Sequence, residues 1–281
     1  MSNRQAQHLS GRVIAITGGA RGIGLATAKA AHARGARVAI GDVDGGAAKE
    51  AGASLGEDVL ALELDVTDEK SFGGFLGEVE RRFGALDVLV NNAGIMPIGP
   101  FLDESVSRSR RAVDVNVMGP LIGTQLALTG MVQRGRGHIV NVASAAGKSP
   151  VPGGVTYAAT KAAIVSLTES IRVEHAGSGV SFTCVMPSFT NTELISGTSG
   201  TKFIRTVQPD EVARAIVRAV ESGKPDVYVP RVIGFILKTQ PLIGRKLRDL
   251  ANHAIKADRT FLDVDKRARE GYDARIGSGP E

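Results

Sequence analysis

The sequence predicts a doubly wound α/β sandwich, a parallel sheet of about seven strands between two layers of helices. Three observations predict it. Short runs rich in Val, Ile and Leu recur along the chain, longer segments with helical spacing separate them, and a glycine-rich turn joins the first run to the first helix.

The apolar runs, in order, are "RVIAIT" from Arg12, "RVAIGD" from Arg37, "VLALELD" from Val59, "LDVLVNN" from Leu86, "GHIVNVAS" from Gly137, "VSFTCVM" from Val180 and "DVYVP" from Asp226. Their near-continuous apolar character is what a sheet covered on both faces requires. The segments 23–34, 68–83, 108–133, 157–176 and 209–222 carry helical periodicity and supply right-handed crossovers between parallel strands. At 281 residues the chain is near the upper size of one hydrophobic core, and no linker divides it. A single domain is therefore expected, with a core of about 10–230 and a helical C-terminal extension over 231–281.

Composition narrows the function. The net charge of +5 comes from Lys and Arg spread over many helices, with no basic patch interleaved by aromatics, so nucleic acid is not an expected partner. Cys184 is the only cysteine and sits in an apolar run, which excludes a disulfide framework and reads as a small buried hydrophobe. The five histidines lack ligand spacing, and no metal is implied. The N-terminal stretch is polar, and no run reaches the ~20 apolar residues of a spanning helix. A cytoplasmic location is the expectation.

The turn after the first run reads "TGGARGIG". Gly18, Gly22 and Gly24 free the backbone to turn sharply and approach a pyrophosphate, and the helix behind offers unpaired N–H groups and a positive dipole end. Without that context the same glycines make only a tight turn. Asp42 ends the second run, where a carboxylate can accept from both hydroxyls of an adenosine ribose and repel a 2′-phosphate, favouring NAD over NADP. A guanidinium from Arg21 or Arg37 would argue the other way, and a solvated strand-end acid is a further alternative.

Tyr157 and Lys161 stand four residues apart in "TYAATKAAI" and so share one helix face. A free phenol titrates near ~10, and a neighbouring ammonium is expected to lower that value toward neutrality. Such a pair also arises as a plain surface contact. Its company is what counts: Ser144 follows a strand thirteen residues upstream, "NNAG" closes another at Asn91 to Gly94, and Asn116 lies in the helical "DVNVMG".

Together, "TGGARGIG", "LDV" at Leu64 to Val66, "NNAG", Asn116, Ser144, "YAATK" and "MPSFTNT" resemble the short-chain dehydrogenase/reductase family in its single-domain Rossmann-type form, over about Ser10 to Pro230. The resemblance implies that Gly18, Arg21, Gly22, Ile23 and Gly24 line the pyrophosphate, Asp42 holds the adenosine ribose, Asp65 and Val66 contact adenine, and Asn92, Ala93 and Gly94 pack along the cofactor. It implies Tyr157 as general acid/base, Ser144 as partner of the substrate oxygen, Lys161 on the nicotinamide ribose and lowering the tyrosine pKa, and Asn116 holding a relay water. Pro187, Thr190 and Thr192 match the carboxamide-contacting segment, although Ser188 stands where the family usually has glycine. The implied activity is NAD(H)-dependent interconversion of a secondary alcohol and a ketone, NADP being the lesser choice. A protein of the same fold that senses nucleotide without turnover is the alternative, and the family also suggests a homotetramer or dimer through 108–133 and 157–176.

Met96, Pro97, Ile98, Val151, Pro152, Phe189, Leu194 and Ile195 are expected to face the substrate. None is charged, so either they take an apolar substrate (steroid-like, terpenoid or long-chain) or they only pack a lid. The basic amphipathic stretch 231–256 can cover the site, form an interface, pack as a solvated helix or make weak peripheral contact with an anionic membrane. The tail from Ala257 reads as a charged helix with no assigned role.

Overall fold

The computed structural model describes residues 8–198, 205–246 and 259–277, so part of the basic stretch (247–256) and the last residues of the terminal "GSGP" lie outside the described residues. Seven strands form one parallel sheet: β1 (Val13–Thr17), β2 (Arg37–Asp42), β3 (Leu60–Glu63), β4 (Val88–Asn91), β5 (Gly137–Val142), β6 (Val180–Pro187) and β7 (Asp226–Val229). Their order is β3-β2-β1-β4-β5-β6-β7. The chain thus leaves β1 in one direction and returns on its other side with β4, which creates a reversal point between them.

Alternation along each strand feeds two cores. Ile14 and Ile16 of β1 pack with α1 (Gly22–His32), α2 (Gly45–Leu55) and α7 (Pro209–Ser222), using Ala28, Ala51, Val212 and Ile216. Val13 and Ala15 point to the opposite face. There they meet Phe72 and Val79 of α3 (Glu69–Phe83) and Ala127 and Met131 of α5 (Gly119–Gln133). A third cluster seats α6 (Val155–Glu174) through Ile164 against Cys184 and Met186 of β6. Cys184 is buried and free, as its apolar run implies, and burial pushes its thiol up to about 12.

α4 (Val106–Val113) runs into α5 through a π-helical turn, Asp114–Met118, closed by Gly119 N–H donating to the Asp114 carbonyl. The whole stretch Val106–Gln133 is long and apolar enough to cross a bilayer, but it is half buried against α3 and α6 as a core helix. Beyond β7, the short helix α8 (Arg231–Thr239) and the last helix, α9 (Lys266–Gly277), form the C-terminal extension. The helix α2 has no counterpart among the expected segments; its "GGAAKEAGASL" is too poor in large apolar residues to show a periodic face.

The contact of α5 with α3 gives a test. A Cβ built on Gly123 lies 2.3 Å from Cζ of the fully buried Phe72. Replacing a helical Gly by Ala gains about 1 kcal/mol in propensity, whereas overpacking costs about 1–3 kcal/mol. Gly123→Ala should lower the free energy of unfolding in urea by up to about 2 kcal/mol, and a raised stability would contradict this packing.

Candidate active site

Every carboxyl end of the central strands contributes a loop to one cavity of about 1590 Å³. That exceeds the ~300–1,000 Å³ of ordinary ligand pockets, enough for a dinucleotide and a second molecule. Gly18, Arg21, Gly22 and Ile23 enter it after β1, Asp42 at the end of β2, Asp65 and Val66 after β3, and Asn92, Ala93 and Gly94 after β4. Ser144 follows β5, Tyr157 and Lys161 come from α6, and Pro187, Thr190 and Thr192 follow β6.

The glycine turn is built for close approach. Gly18 has φ +63, and a Cβ on Gly24 would lie 2.0 Å from the Gly18 carbonyl oxygen. Gly24 itself does not line the cavity; its missing side chain lets α1 pack onto the turn. Asp42 accepts from Ala20 N–H at 3.1 Å and Asp44 N–H at 3.2 Å, one on each oxygen, leaving lone pairs toward the cavity. Arg21 is held 2.5 Å from Asp44. Arg37 begins β2 and donates to the Phe83 carbonyl at 3.0 Å, about 17 Å along the strand from Asp42, so it cannot serve a phosphate there. Asp65 spends one oxygen on its own turn, accepting from Thr67 N–H and Oγ1.

Around α6 the chemistry is buried. Lys161 is 4 % exposed; its Nζ donates to the Val142 carbonyl at 2.9 Å and lies 5.7 Å from the Tyr157 ring centroid. Burial lowers the ammonium to about 8. Burial also raises the Tyr157 phenol, to about 12, with the Ser144 hydroxyl pulling the other way. The direction is opposite to the expected lowering: desolvation is the larger cause, and Lys161 points its hydrogen bond at Val142. Ser144 donates to the Pro187 carbonyl and accepts from Ala146 N–H.

Asn116 does not line the cavity. Fully buried in the π-helical turn, its carboxamide accepts from Ile95 N–H at 2.8 Å and donates to the Ile95 carbonyl and Thr160 Oγ1. Both ends of the side chain are therefore committed to protein. These bonds fix the loop after β4 against α6.

Of the expected substrate-facing residues, Met96, Val151, Pro152, Phe189, Leu194 and Ile195 line the cavity, while Pro97 and Ile98 open onto a separate, smaller one. The roof is where reading the sequence fell short. Phe261, Tyr272, Arg275 and Ile276 of the C-terminal extension also line the cavity. Phe261 stacks on Phe189 at 5.5 Å, and Met96 N–H donates to the Tyr272 oxygen at 2.9 Å. Arg269, 1 % exposed, donates to the carbonyls of Met96, Leu194 and Ser196 and pairs with Asp273 at 3.0 Å. Arg275 pairs with Glu193. The aromatics in "RTFLDVDKRAREGY" were the available signal, hidden among charges. Arg111 was missed too: it lines the cavity with its Nε buried and unpartnered among the described residues.

A glycine cradle, a strand-end acid and a half-buried Ser144 beside the buried Tyr157 and Lys161 in one cavity define a nucleotide-dependent oxidoreductase site. The short chain dehydrogenase family model matches residues 12–201, and the chain belongs to that family. It is 38% identical over 217 residues to cis-4-hydroxycyclohexanecarboxylate dehydrogenase of Sinomonas cyclohexanicum, covering 73% of this chain and 87% of that one. Against 2-(S)-hydroxypropyl-CoM dehydrogenase 3 of Xanthobacter autotrophicus the identity is 37%, over 85% and 93% of the two chains. A short chain dehydrogenase/reductase of Burkholderia phymatum solved in complex with NAD superposes with a TM-score of 0.76 at 25% identity, over 83% of this chain and 93% of the other. The shared reaction class is oxidoreduction at a carbon bearing oxygen.

The buried lysine makes stability depend on pH. With a folded value near 8 against 10.5 unfolded, the unfolded chain holds the extra proton between those pH values, so stability rises with pH there. Comparison with Lys161→Met isolates this. The wild type should gain on the variant by up to about 3 kcal/mol between pH 8 and 10.5, read by urea unfolding, and a flat difference would contradict the lysine's burial. Separately, Arg269→Met should cost about 3 kcal/mol by leaving buried carbonyls unpaired, and a loss under about 1 kcal/mol would contradict its anchoring role.

Proposed function

We propose that this protein is an NAD(H)-dependent oxidoreductase that interconverts a secondary alcohol and a ketone of mainly apolar body. The observation that carries the reading is the convergence of Ser144, Tyr157 and Lys161 on one cavity with the glycine turn and Asp42.

The residues fit a dinucleotide. A side chain at Gly18 would crowd the cradle, since a Cβ there meets Ala93 Cα at 2.9 Å, and one at Gly24 would push α1 off the turn. Gly18, Arg21, Gly22 and Ile23 would hold the pyrophosphate, Asp42 the adenosine ribose, Asp65 and Val66 the adenine, and Asn92, Ala93 and Gly94 the neighbouring ribose side. Lys161 would hold the nicotinamide ribose, and Pro187, Thr190 and Thr192 the carboxamide. When bound, the cofactor supplies or accepts the hydride. Asp42 with open lone pairs, Arg21 satisfied by Asp44 and Arg37 at the far strand end support NAD over NADP.

The chain's own work is proton transfer and orientation. Burial keeps Tyr157 protonated at neutral pH, so its O–H is ready to pass to the substrate oxygen in reduction. Ser144 steadies that oxygen. In oxidation the phenol must first give up its proton, for which Lys161, brought by burial to about 8, offers a neutral amine; the resulting phenolate then takes the proton of the alcohol at Oη. Asn116 keeps Ile95 and Thr160 in register, as a positioning residue. Met96, Val151, Phe189 and Phe261 exclude water from the reacting carbon. A homo-oligomer through α4–α6 completes the proposal, supported by exposed Val113, Met118, Val155 and Val173.

Tyr157→Phe tests the assignment. It should lower kcat by about 10²–10⁴-fold on a panel of secondary alcohols while the Kd for NADH changes less than about threefold. A variant that keeps most of its activity would overturn it.

A further inference from the structure

The tail from Arg259 carries a phenol that no step above uses. Tyr272 is 6 % exposed and faces the same cavity as Tyr157. Its oxygen already accepts from Met96 N–H at 2.9 Å, so the remaining function of the group is to donate. Among the described residues no acceptor stands within reach of that proton. Burial raises the phenol well above its ordinary value, with the Met96 hydrogen bond and the Arg269 charge opposing, so the proton stays on oxygen through any physiological pH.

The ring cannot drift. Met96 N–H fixes the oxygen, and the buried Arg269 stacks its guanidinium 4.6 Å from the ring centroid while bonding three loop carbonyls. Arg275 lies 5.6 Å from the same centroid. Two cations against one ring draw charge from it and sharpen the O–H as a donor. The wall beside it is mainly apolar, Met96 and Phe261 packed with Val151, Phe189 and Leu194 around Tyr157, with Arg111 and Arg275 among the charged groups that also line the cavity. A fixed, polarised donor in an apolar wall is the arrangement that orients a ligand bearing a single acceptor at that place.

We infer that Tyr272 is a specificity-determining residue: fixed by Met96 and Arg269, it donates a hydrogen bond to a second oxygen on the substrate. The enzyme thereby selects alcohols and ketones that carry a further hydroxyl, oxo or carboxylate group over those with one oxygen. The inference rests on the proposed alcohol–ketone activity and deepens it: the substrate has an apolar body and two oxygens, one reacting at Tyr157 and one held by Tyr272. Discrimination arises because a site built to bond an oxygen leaves its donor unpaired against the analogue that lacks it.

The test uses two matched pairs on one carbon skeleton each, cyclohexanol with cyclohexane-1,4-diol and octan-2-ol with octane-2,7-diol. Binding is measured calorimetrically to the full chain loaded with NADH, where no turnover can occur, and oxidation is followed with NAD. In the wild type at least one diol should be preferred by about tenfold. In Tyr272→Phe the preference should collapse toward one, with the loss for the diol in KM rather than kcat. No preference for either diol, or an equal loss for diol and monoalcohol, would overturn the inference. Absence of NADH binding would instead defeat the proposed function itself, whereas NADH binding and oxidation with an unaltered diol preference in the variant would defeat only the role of Tyr272.

Discussion

The crevice between β1 and β4 is held in register by hydrogen bonds between Thr17 and Asn92. Thr17 Oγ1 accepts from the N–H groups of Asn92 and Ala93, both at 3.0 Å, and Asn92 Nδ2 donates to the carbonyls of Thr17 and Gly18. A parallel sheet whose order reverses must leave its strand ends diverging at that point, and this is where a ligand can enter. The staple sets how wide the gap opens. It places the glycine turn and the loop after β4 as one surface, and without it neither Gly18 nor Gly94 would face the same ligand.

From that surface the polar groups run inward as a continuous frame. Asn116 ties the loop after β4 to Thr160 of α6, and Thr160 in turn donates to the Tyr157 carbonyl. Lys161, on the next turn, is held by Val142 of β5. Asn91, Asn141 and Thr168 bridge β4, β5 and α6 behind it. Tyr157 and Lys161 are thus positioned by groups that cannot move without breaking buried hydrogen bonds, each worth about 1 kcal/mol when made and more when left unpaired. The cost of the arrangement is desolvation, visible in the opposite shifts of Tyr157 and Lys161.

Much of this was legible in the sequence because the signals are local. Seven apolar runs gave seven strands, the glycine turn sat where a strand meets a helix, and Tyr157 and Lys161 share a face because helical geometry demands it. What the sequence could not give was direction. Gly24 lies in a motif that reads as lining the pyrophosphate, yet its missing side chain makes room for the Gly18 carbonyl, and the side chain of Asn116 bonds Ile95 and Thr160, which no local pattern announces. Arg37 looked able to reach the ribose, but strand length separates it from Asp42. The phenol shift had the wrong sign because pairing was weighed without burial. Least legible was the C-terminal roof: Arg269 looks like a surface charge in a charged helix, and only the fold shows three carbonyls converging on it from loops over seventy residues away.

The claim on which the account turns is that this crevice is shaped for an unphosphorylated adenosine ribose against Asp42. Calorimetric titration of the full chain with NADH and with NADPH tests it directly. NADH should bind at least about tenfold more tightly, as a carboxylate facing a 2′-phosphate requires. Equal affinities, or tighter NADPH, would contradict the assignment of Asp42 and return the selection of cofactor to Arg21.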